Sequence, residues 1–437
     1  NKSTNNWVSF SFDSNSKNKY GLGNKVFVYA NDKMQYQELS PMRGFQSSVD
    51  YRLYFGLGNI SVIDSVKIIW NDKEFSVLKN IKPNSHHTFN EDKIDKNFII
   101  HKKSTYKTYL KNSDYQINYS HNENNFVDFD RERLLFKMSS NEGPCTCVGD
   151  FNDDGREDLF VGSAKGQASS IFFQELNGSF KSYNSAFEED ILSEDINCLV
   201  DDFNGDGKLD LIVASGGSEY SNFSPELRDR MYINLGNKNF KKLTESLSSI
   251  SSFESTSTIS SYDFDRDGDK DLFLGTRINP GAYGTKTRSY LLENNGEGVF
   301  KDISEKYLGD SRFMEMITDS EFVDIDNDNI KELVVVGEWM PVKIFKFLEN
   351  KLIDITDSLG LSKTNGLYNN VHFEDLDGDG YTDLVLGNYG LNSMFRASIE
   401  QPLSLYVNDF DNNGRIEQIL AMHYDEKLYP IVQLKDL

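Results

Sequence analysis

Apolar residues in this chain fall in short alternating runs of strand length, and two regimes of pattern follow one another. In the first, Trp7-Val-Ser-Phe-Ser-Phe12 alternates, and Asn24-Lys-Val-Phe-Val-Tyr29 follows a Gly-Leu-Gly turn. Asp64-Ser-Val-Lys-Ile-Ile-Trp70 alternates again. Between them stand Arg43-Gly-Phe-Gln-Ser-Ser48 and Phe55-Gly-Leu-Gly58. Residues 1–90 are therefore expected to form a small β-sandwich-like module. Residues 91–125 are polar and rich in Asn, Lys and Tyr, which predicts a linker or an outer strand.

From residue 126 the second regime begins, in which acidic loops alternate with apolar strands. Asp263-Phe-Asp265-Arg-Asp267-Gly268-Asp269-Lys-Asp271 precedes the run Leu-Phe-Leu-Gly. Carboxylates at positions 1, 3, 5 and 9 around a turn glycine at position 6 make an oxygen cage for one hard divalent cation, and Ca²⁺ suits it. Position 7 would add its main-chain carbonyl. An EF-hand requires a Glu at position 12, where this chain has Leu274. The loop is thus expected between two strands, not between two helices.

The unit recurs. At positions 1, 3, 5, 7 and 9 the first loop has Asp150, Asn152, Asp154, Arg156 and Asp158, and the second Asp202, Asn204, Asp206, Lys208 and Asp210. The fourth has Asp324, Asp326, Asp328, Ile330 and Glu332, with Asn329 at the turn, where a left-handed conformation is still accessible. The fifth has Asp375, Asp377, Asp379, Tyr381 and Asp383. The sixth, Asp409, Asp411, Asn413, Arg415 and Glu417, exchanges one carboxylate for an amide. One such cluster is as readily a solvated turn; six in register before apolar strands are not.

First aspartates fall 52, 61, 61 and 51 residues apart, then 34. Periods of that size with four strands each predict the blades of a β-propeller. In blade 3 the predicted strands are Ile259–Tyr262, Leu272–Gly275, Arg288–Glu293 and Val299–Ile303. All acidic loops then join first to second strands and share one rim. The second-to-third connections, at 215–229, 276–287, 337–341 and 387–402, share the other. They carry Tyr220, Phe223, Arg277, Tyr283, Trp339 and Tyr389, which are candidates for partner binding. The alternative is that these aromatics plug the channel or the blade seams.

Composition sharpens this picture. Aromatics reach 13 % of residues and the net charge is −23, so a phosphate backbone or an acidic membrane surface is excluded as a partner. Much of the acidity lies in the loops. No apolar run reaches the length of a membrane-spanning helix. Cys145 and Cys147 share a face of one predicted strand, and Cys198 takes the register of Thr146 on the opposite face. All three are expected to be small buried hydrophobes. Loops of millimolar-type affinity would stay empty in a cytosol, so an extracellular or cell-surface location is expected. The chain opens at Asn1 without Met and is expected to be part of a longer protein.

These residues resemble the FG-GAP/VCBS-repeat proteins that carry an ASPIC/UnbV module, a group including cartilage acidic protein and many Bacteroidetes surface proteins. The module's share rests on Trp7, Gly21-Leu-Gly-Asn-Lys-Val26, Arg43–Ser48, Phe55–Gly58 and Asp64–Trp70. The repeats' share rests on the loops with Glu142-Gly-Pro144, Gly216-Gly-Ser-Glu-Tyr220 and Gly337-Glu-Trp-Met-Pro341. The resemblance implies an all-β fold: a calcium-binding propeller of seven or eight blades, incomplete in this chain, over residues 126–437. It implies about five to six Ca²⁺ and an outer-membrane-associated location, with a complex there as partner.

No catalytic set stands out. The six histidines show no metal-ligand spacing, and there is no nucleophile elbow or Walker loop. Two readings follow. One is a non-enzymatic calcium-stabilised scaffold binding a protein or glycan through the rim opposite the loops. The alternative is a calcium-dependent hydrolase or lyase on an anionic polysaccharide, using Arg277, Lys286 and Arg288.

Overall fold

The alternating runs at the start of the chain become the inner faces of a sandwich. In a computed structural model, which describes residues 5–14, 17–70, 74–98, 117–250, 254–348, 351–390 and 393–431, strand Asn6–Asp13 lies between two neighbours. It pairs antiparallel with Leu53–Gly58 and parallel with Ser85–Asn90. A five-stranded sheet faces it, in the order Asn97–Phe98, Glu74–Leu78, Ser65–Ile69, Lys25–Ala30, Lys33–Glu38. Val8, Phe10, Phe12, Val26, Val28, Val66, Ile68 and Trp70 fill the space between them. The Trp70 indole donates to Ser76 Oγ at 2.9 Å, so its one polar atom is satisfied inside the core.

The chain divides into two units, Asn1–Asn112 and Ser113–Leu437. The sandwich runs past residue 90, because Asn97–Phe98 pairs with Glu74–Leu78. Residues 117–125 form no strand. They pack instead on the second unit, where Tyr119 Oη donates to the Gly162 carbonyl at 2.9 Å. The predicted linker therefore splits between the units, and its stretch 99–116 lies outside the described residues.

The second unit is a succession of antiparallel meanders. Blade 1 comprises Thr146–Gly149, Asp158–Val161, Ser170–Gln174 and Phe180–Tyr183; blade 2 comprises Asp195–Asp201, Asp210–Ser215, Arg230–Asn234 and Phe240–Lys242. Blade 3 comprises Ser255–Tyr262, Asp271–Ile278, Tyr290–Glu293 and Lys301–Asp302, and blade 4 Ile317–Val323, Glu332–Met340, Lys343–Leu348 and Lys351–Asp354. Sheet 5 holds Gly366–Glu374 and Asp383–Asn388; sheet 6 holds Ser404–Asn408, Glu417–Tyr424 and Lys427–Pro430. The fold is all-β and of propeller type. Among the described residues no helix is long and apolar enough to cross a membrane.

Second strands such as Asp271–Ile278 are buried along their whole length because a neighbouring blade covers each face. First strands are longer than their apolar residues predicted. Ser255–Tyr262 is mostly Ser and Thr, yet six of its residues are buried. Their hydroxyls bond across to the next blade: Ser257 Oγ donates to the Ile317 carbonyl at 2.7 Å and Ser260 Oγ to that of Ser320 at 2.9 Å. Thr318 Oγ1 repeats this at the next seam, donating to the Tyr368 carbonyl at 2.9 Å. Small hydroxyls let the crowded inner strands approach while pairing backbone groups the ladder leaves over.

The cysteine expectation is corrected here. Cys147 and Cys198 form a disulfide across the seam between blades 1 and 2, with Cα atoms 6.1 Å apart, and Cys145 alone is a free buried thiol. The sequence register placed the two on opposite faces of their own sheets, which is correct. Successive blades stack one face against the next blade's other face, so opposite faces are the ones that meet. The bridge joins residues 51 apart in sequence, and such a closure contributes about 2–4 kcal/mol. Cys147→Ser is expected to lower the unfolding free energy by that amount, as reduction of the wild type should. A melt indifferent to both would show that the seam holds without the bond.

Candidate metal loops and the opposite rim

Each acidic loop is first a hydrogen-bonded turn. The position-6 amide donates to the position-1 carboxylate in all six: Gly155 to Asp150 at 2.7 Å, Gly207 to Asp202 at 2.8 Å, Gly268 to Asp263 at 3.2 Å, Asn329 to Asp324 at 2.8 Å, Gly380 to Asp375 at 3.0 Å and Gly414 to Asp409 at 2.9 Å. Closing that ring requires positive φ at position 6, met by five glycines and by Asn329 at 65°. Position 4 also has positive φ throughout, at Asp153, Gly205, Arg266, Asn327, Gly378 and Asn412. Sequence reasoning missed it, although Asp, Asn or Gly in five of six loops was the signal.

Position 9 is a clamp. Asp158 accepts the Phe151 amide on one oxygen at 3.1 Å and the Gln174 amide on the other at 2.8 Å. Asp210 does the same with Phe203 and Asn234, and Asp271 with Phe264 and Asn294. One carboxylate thus ties the loop to the end of the third strand. Burial pushes Asp158 and Asp210 up to about 6 and Asp271 up to about 7, against the pull of those amides, and neighbouring loop carboxylates add to the rise.

The remaining carboxylates converge. Positions 1, 3 and 9 bring ligand oxygens within 4.8 Å of one another in four loops: Asp263, Asp265 and Asp271; Asp324, Asp326 and Glu332; Asp375, Asp377 and Asp383; Asp409, Asp411 and Glu417. In loop 3 the Asp263 Oδ1 and Asp269 Oδ1 atoms are buried with no hydrogen-bond partner. Burial, then Asp267, Asp265 and Asp263, push Asp269 up to about 6. Orphaned carboxylate oxygens facing like charge fit a divalent cation and little else. Loops 1 and 2 have Asn at position 3, and their position-7 cations reach position 5: Arg156 pairs with Asp154, and Lys208 Nζ lies 2.9 Å from Asp206. The Tyr381 side chain is exposed and Arg156 Nε donates to the Gln174 carbonyl, so position 7 has only its carbonyl to offer a metal there.

The rim opposite is covered. Residues 126–144 lie across it, and the proposed partner-binding side chains pack beneath them. Arg277 pairs with Glu142 and, at 2.8 Å, with Glu338. Glu338 also receives Tyr283 Oη at 2.7 Å and the Lys137 ammonium, and Trp339 Nε1 donates to Tyr283 Oη at 3.1 Å. Burial pushes the Glu338 carboxyl up, but Arg277 and Lys137 outweigh it and hold it below its ordinary value. Phe136 stands edge-on to Tyr283, Trp339, Tyr389 and Phe395. Arg131 donates to the Ser218 and Tyr220 carbonyls at 2.9 and 2.6 Å.

Tyr220, Arg277 and Tyr283 are therefore buried, and Trp339 is half-buried on a bulge with φ of 64°. They do not form an open recognition surface. The physical reason is that a segment read as featureless supplies the lid: Phe136 and Leu135 fill the apolar gap, and Arg131, Lys137 and Glu142 match its charges. Tyr389 remains 40 % exposed and Phe223 75 %. Sequence reasoning also missed Glu194 and Glu219. Glu194 is buried with neither oxygen receiving a hydrogen bond, and Gly217 leaves its Oε2 room, since a Cβ there would stand 3.1 Å away. Burial, then the negative Glu219, push the Glu194 carboxyl far above its ordinary value.

Repeated four-stranded blades with an acidic turn between first and second strands define this unit as a β-propeller with acidic loops. Residues 14–96 match the family described as "ASPIC and UnbV", and residues 202–274 and 324–386 match the "FG-GAP-like repeat". The chain is an FG-GAP-repeat protein with an ASPIC/UnbV module. Among solved structures it is similar to a Dos1 propeller, with TM-score 0.30 and 10 % identity over 52 % of this chain and 62 % of that one. It is also similar to BBS1N in complex with ARL6DN, soaked with lead, with TM-score 0.32 and 10 % identity over 83 % and 89 %. A thermostable family-43 glycoside hydrolase gives TM-score 0.27 and 12 % identity over 68 % and 96 %. Similarity at that level adds nothing to the fold drawn from the sheets. No curated protein matches the chain.

Clamp and ligand separate experimentally. Asp271→Ala strands two buried amides and is expected to cost about 2–4 kcal/mol with or without calcium. Asp265→Ala should cost stability only when calcium is present. Melts of both variants with and without chelator check this; an Asp271→Ala no less stable than Asp265→Ala in chelator would deny position 9 its clamp role. For Glu194 the folded-state pKa lies above the unfolded one, so its contribution is neutral below about pH 4.5 and turns destabilising as pH rises. Glu194→Gln should leave the melt unchanged near pH 4 and stabilise by about 1–3 kcal/mol near pH 8. A variant less stable at the higher pH would contradict it.

Proposed function

We propose that this chain is a non-catalytic scaffold working outside the cell, in which calcium in the acidic loops rigidifies the propeller and the opposite rim meets a protein partner. The observation that carries the reading is loop 3, whose buried orphan oxygens need a divalent ion. All six loops join first to second strands, so the ions sit on one rim and leave the other for contact. The Cys147–Cys198 bridge supports an oxidising compartment. Exposed Phe223 and Tyr389, on second-to-third connections, are the contact residues in place of the buried Tyr220, Arg277 and Tyr283.

The enzymatic alternative has no observation in its favour. Asp271 opens and Arg277 nearly closes the same strand, which sets them about 20 Å apart. Lys286 pairs with Glu315 at 3.0 Å and Arg288 with Asp302 at 2.5 Å. These two cations are spent on local carboxylates.

A site filled to about ten times its Kd stabilises by about 1.4 kcal/mol, so several together rival a domain's net stability. Excess EGTA should therefore lower the melting temperature by many degrees relative to millimolar calcium. An unchanged melt would end the calcium reading. Crosslinking in the native medium then tests the rim, with adducts expected near Phe223 and Tyr389.

A further inference from the structure

The six loops are not equivalent, and the fourth differs in kind. We propose that loop 4 carries its own cation: the Lys346 ammonium stands where a divalent ion would stand among Asp326, Asp328 and Glu332, so blade 4 closes without metal. The inference rests on the reading of the other loops as divalent sites.

Lys346 enters from the third strand. Its Nζ donates to Asp326 Oδ2 and, at 2.9 Å, to Asp328 Oδ2, and lies 3.0 Å from Glu332 Oε1 as an ion pair. Asp326, Asp328 and Glu332 are positions 3, 5 and 9 of the loop, three of its four carboxylate positions. The Lys346 side chain is 17 % exposed and that of Glu332 is fully buried, while Asp326 and Asp328 are 51 % and 38 % exposed, so the ammonium links the buried floor of the loop to its solvent side. Arg156 and Lys208 differ, since each reaches a single position-5 carboxylate from within its own loop.

Register shows that the substitution is particular to blade 4. Leu333 faces Phe345 across the second and third strands, so the next pair is Glu332 with Lys346. By the same one-step extension of the ladder, the equivalent place holds Phe173 in blade 1, Ile233 in blade 2 and Glu293 in blade 3. Blade 3 thus turns an acid toward its loop where blade 4 turns a base. In blades 1 to 3 the second oxygen of the position-9 clamp takes a third-strand amide, from Gln174, Asn234 or Asn294. In blade 4 that oxygen receives no hydrogen bond and has the ammonium 3.0 Å away as an ion pair. The strand is held in place on either side of Lys346, because Phe345 is buried and Phe347 stacks on Phe264 at 5.3 Å. A divalent ion entering this loop must displace an ammonium that bridges three carboxylates at once. Loop 4 is the blade's permanent closure, and calcium sensitivity lies in its neighbours.

The test counts ions on the full chain, stripped with chelator and then dialysed against calcium, by elemental analysis. Lys346→Met and Lys346→Gln are each expected to bind one more ion per chain than the wild type. Lys346→Arg, which keeps the charge, should bind the same number as the wild type, and Asp265→Ala in loop 3 one fewer. Chelated Lys346→Met should melt below the chelated wild type and recover on adding calcium. If Asp265→Ala loses an ion while neither neutral variant gains one, this inference fails and the calcium reading stands. If the wild type and every variant bind none, both fall.

Discussion

The second unit depends on holding like charges together. Each loop packs three or four carboxylates around one point, and at short range their repulsion would open the turn. Two devices oppose it. The backbone amide at position 6 and, in every loop but the third, that at position 5 bind the first carboxylate, and the ninth anchors the loop to the second strand it opens and, in blades 1 to 3, to the third. What remains after both is a pocket of negative oxygen, and loop 3 keeps two of those oxygens buried without a partner. The rest of the blade is built to resist the opening. In blades 2 to 4 the second strand behind the loop is buried on both faces, hydroxyls cross-link blade 3 to blade 4 and blade 4 to sheet 5, and a disulfide joins blades 1 and 2.

The opposite rim solves a different problem with similar means. Second strands end there with polar and aromatic residues that the stacked sheets alone do not cover. Residues 126–144 cover them, with Arg131, Lys137 and Glu142 placed against carbonyls and charges and Phe136 set among four aromatic rings. Breaking one member of such a buried network strands the others, at a cost of about 3–5 kcal/mol. The rim is therefore a packed element, with Phe223 and Tyr389 still exposed.

Much of this was legible along the chain. Loop spacing, the turn position, the strand following each loop and the change of pattern near residue 126 all rest on local chemistry: carboxylates at alternate positions, a glycine where φ must be positive, and an apolar run behind. The first strands were underestimated because Ser255–Tyr262 earns burial through hydroxyls and not through hydrophobicity. The sandwich boundary slipped because Asn97–Phe98 is too short to announce itself. The aromatic residues were correctly found and wrongly used, since burial depends on what lies over them.

Local pattern by itself determined where the acidic loops are, which atoms they offer and that strands follow them, because each feature is settled within about ten residues. Only the tertiary structure decided which loop faces meet. It paired Cys147 with Cys198 by stacking opposite faces, laid a polar segment over the far rim, and brought Lys346 into a loop fourteen residues behind it. Those outcomes depend on groups brought together by stacking and strand register, which no periodicity along a single strand encodes.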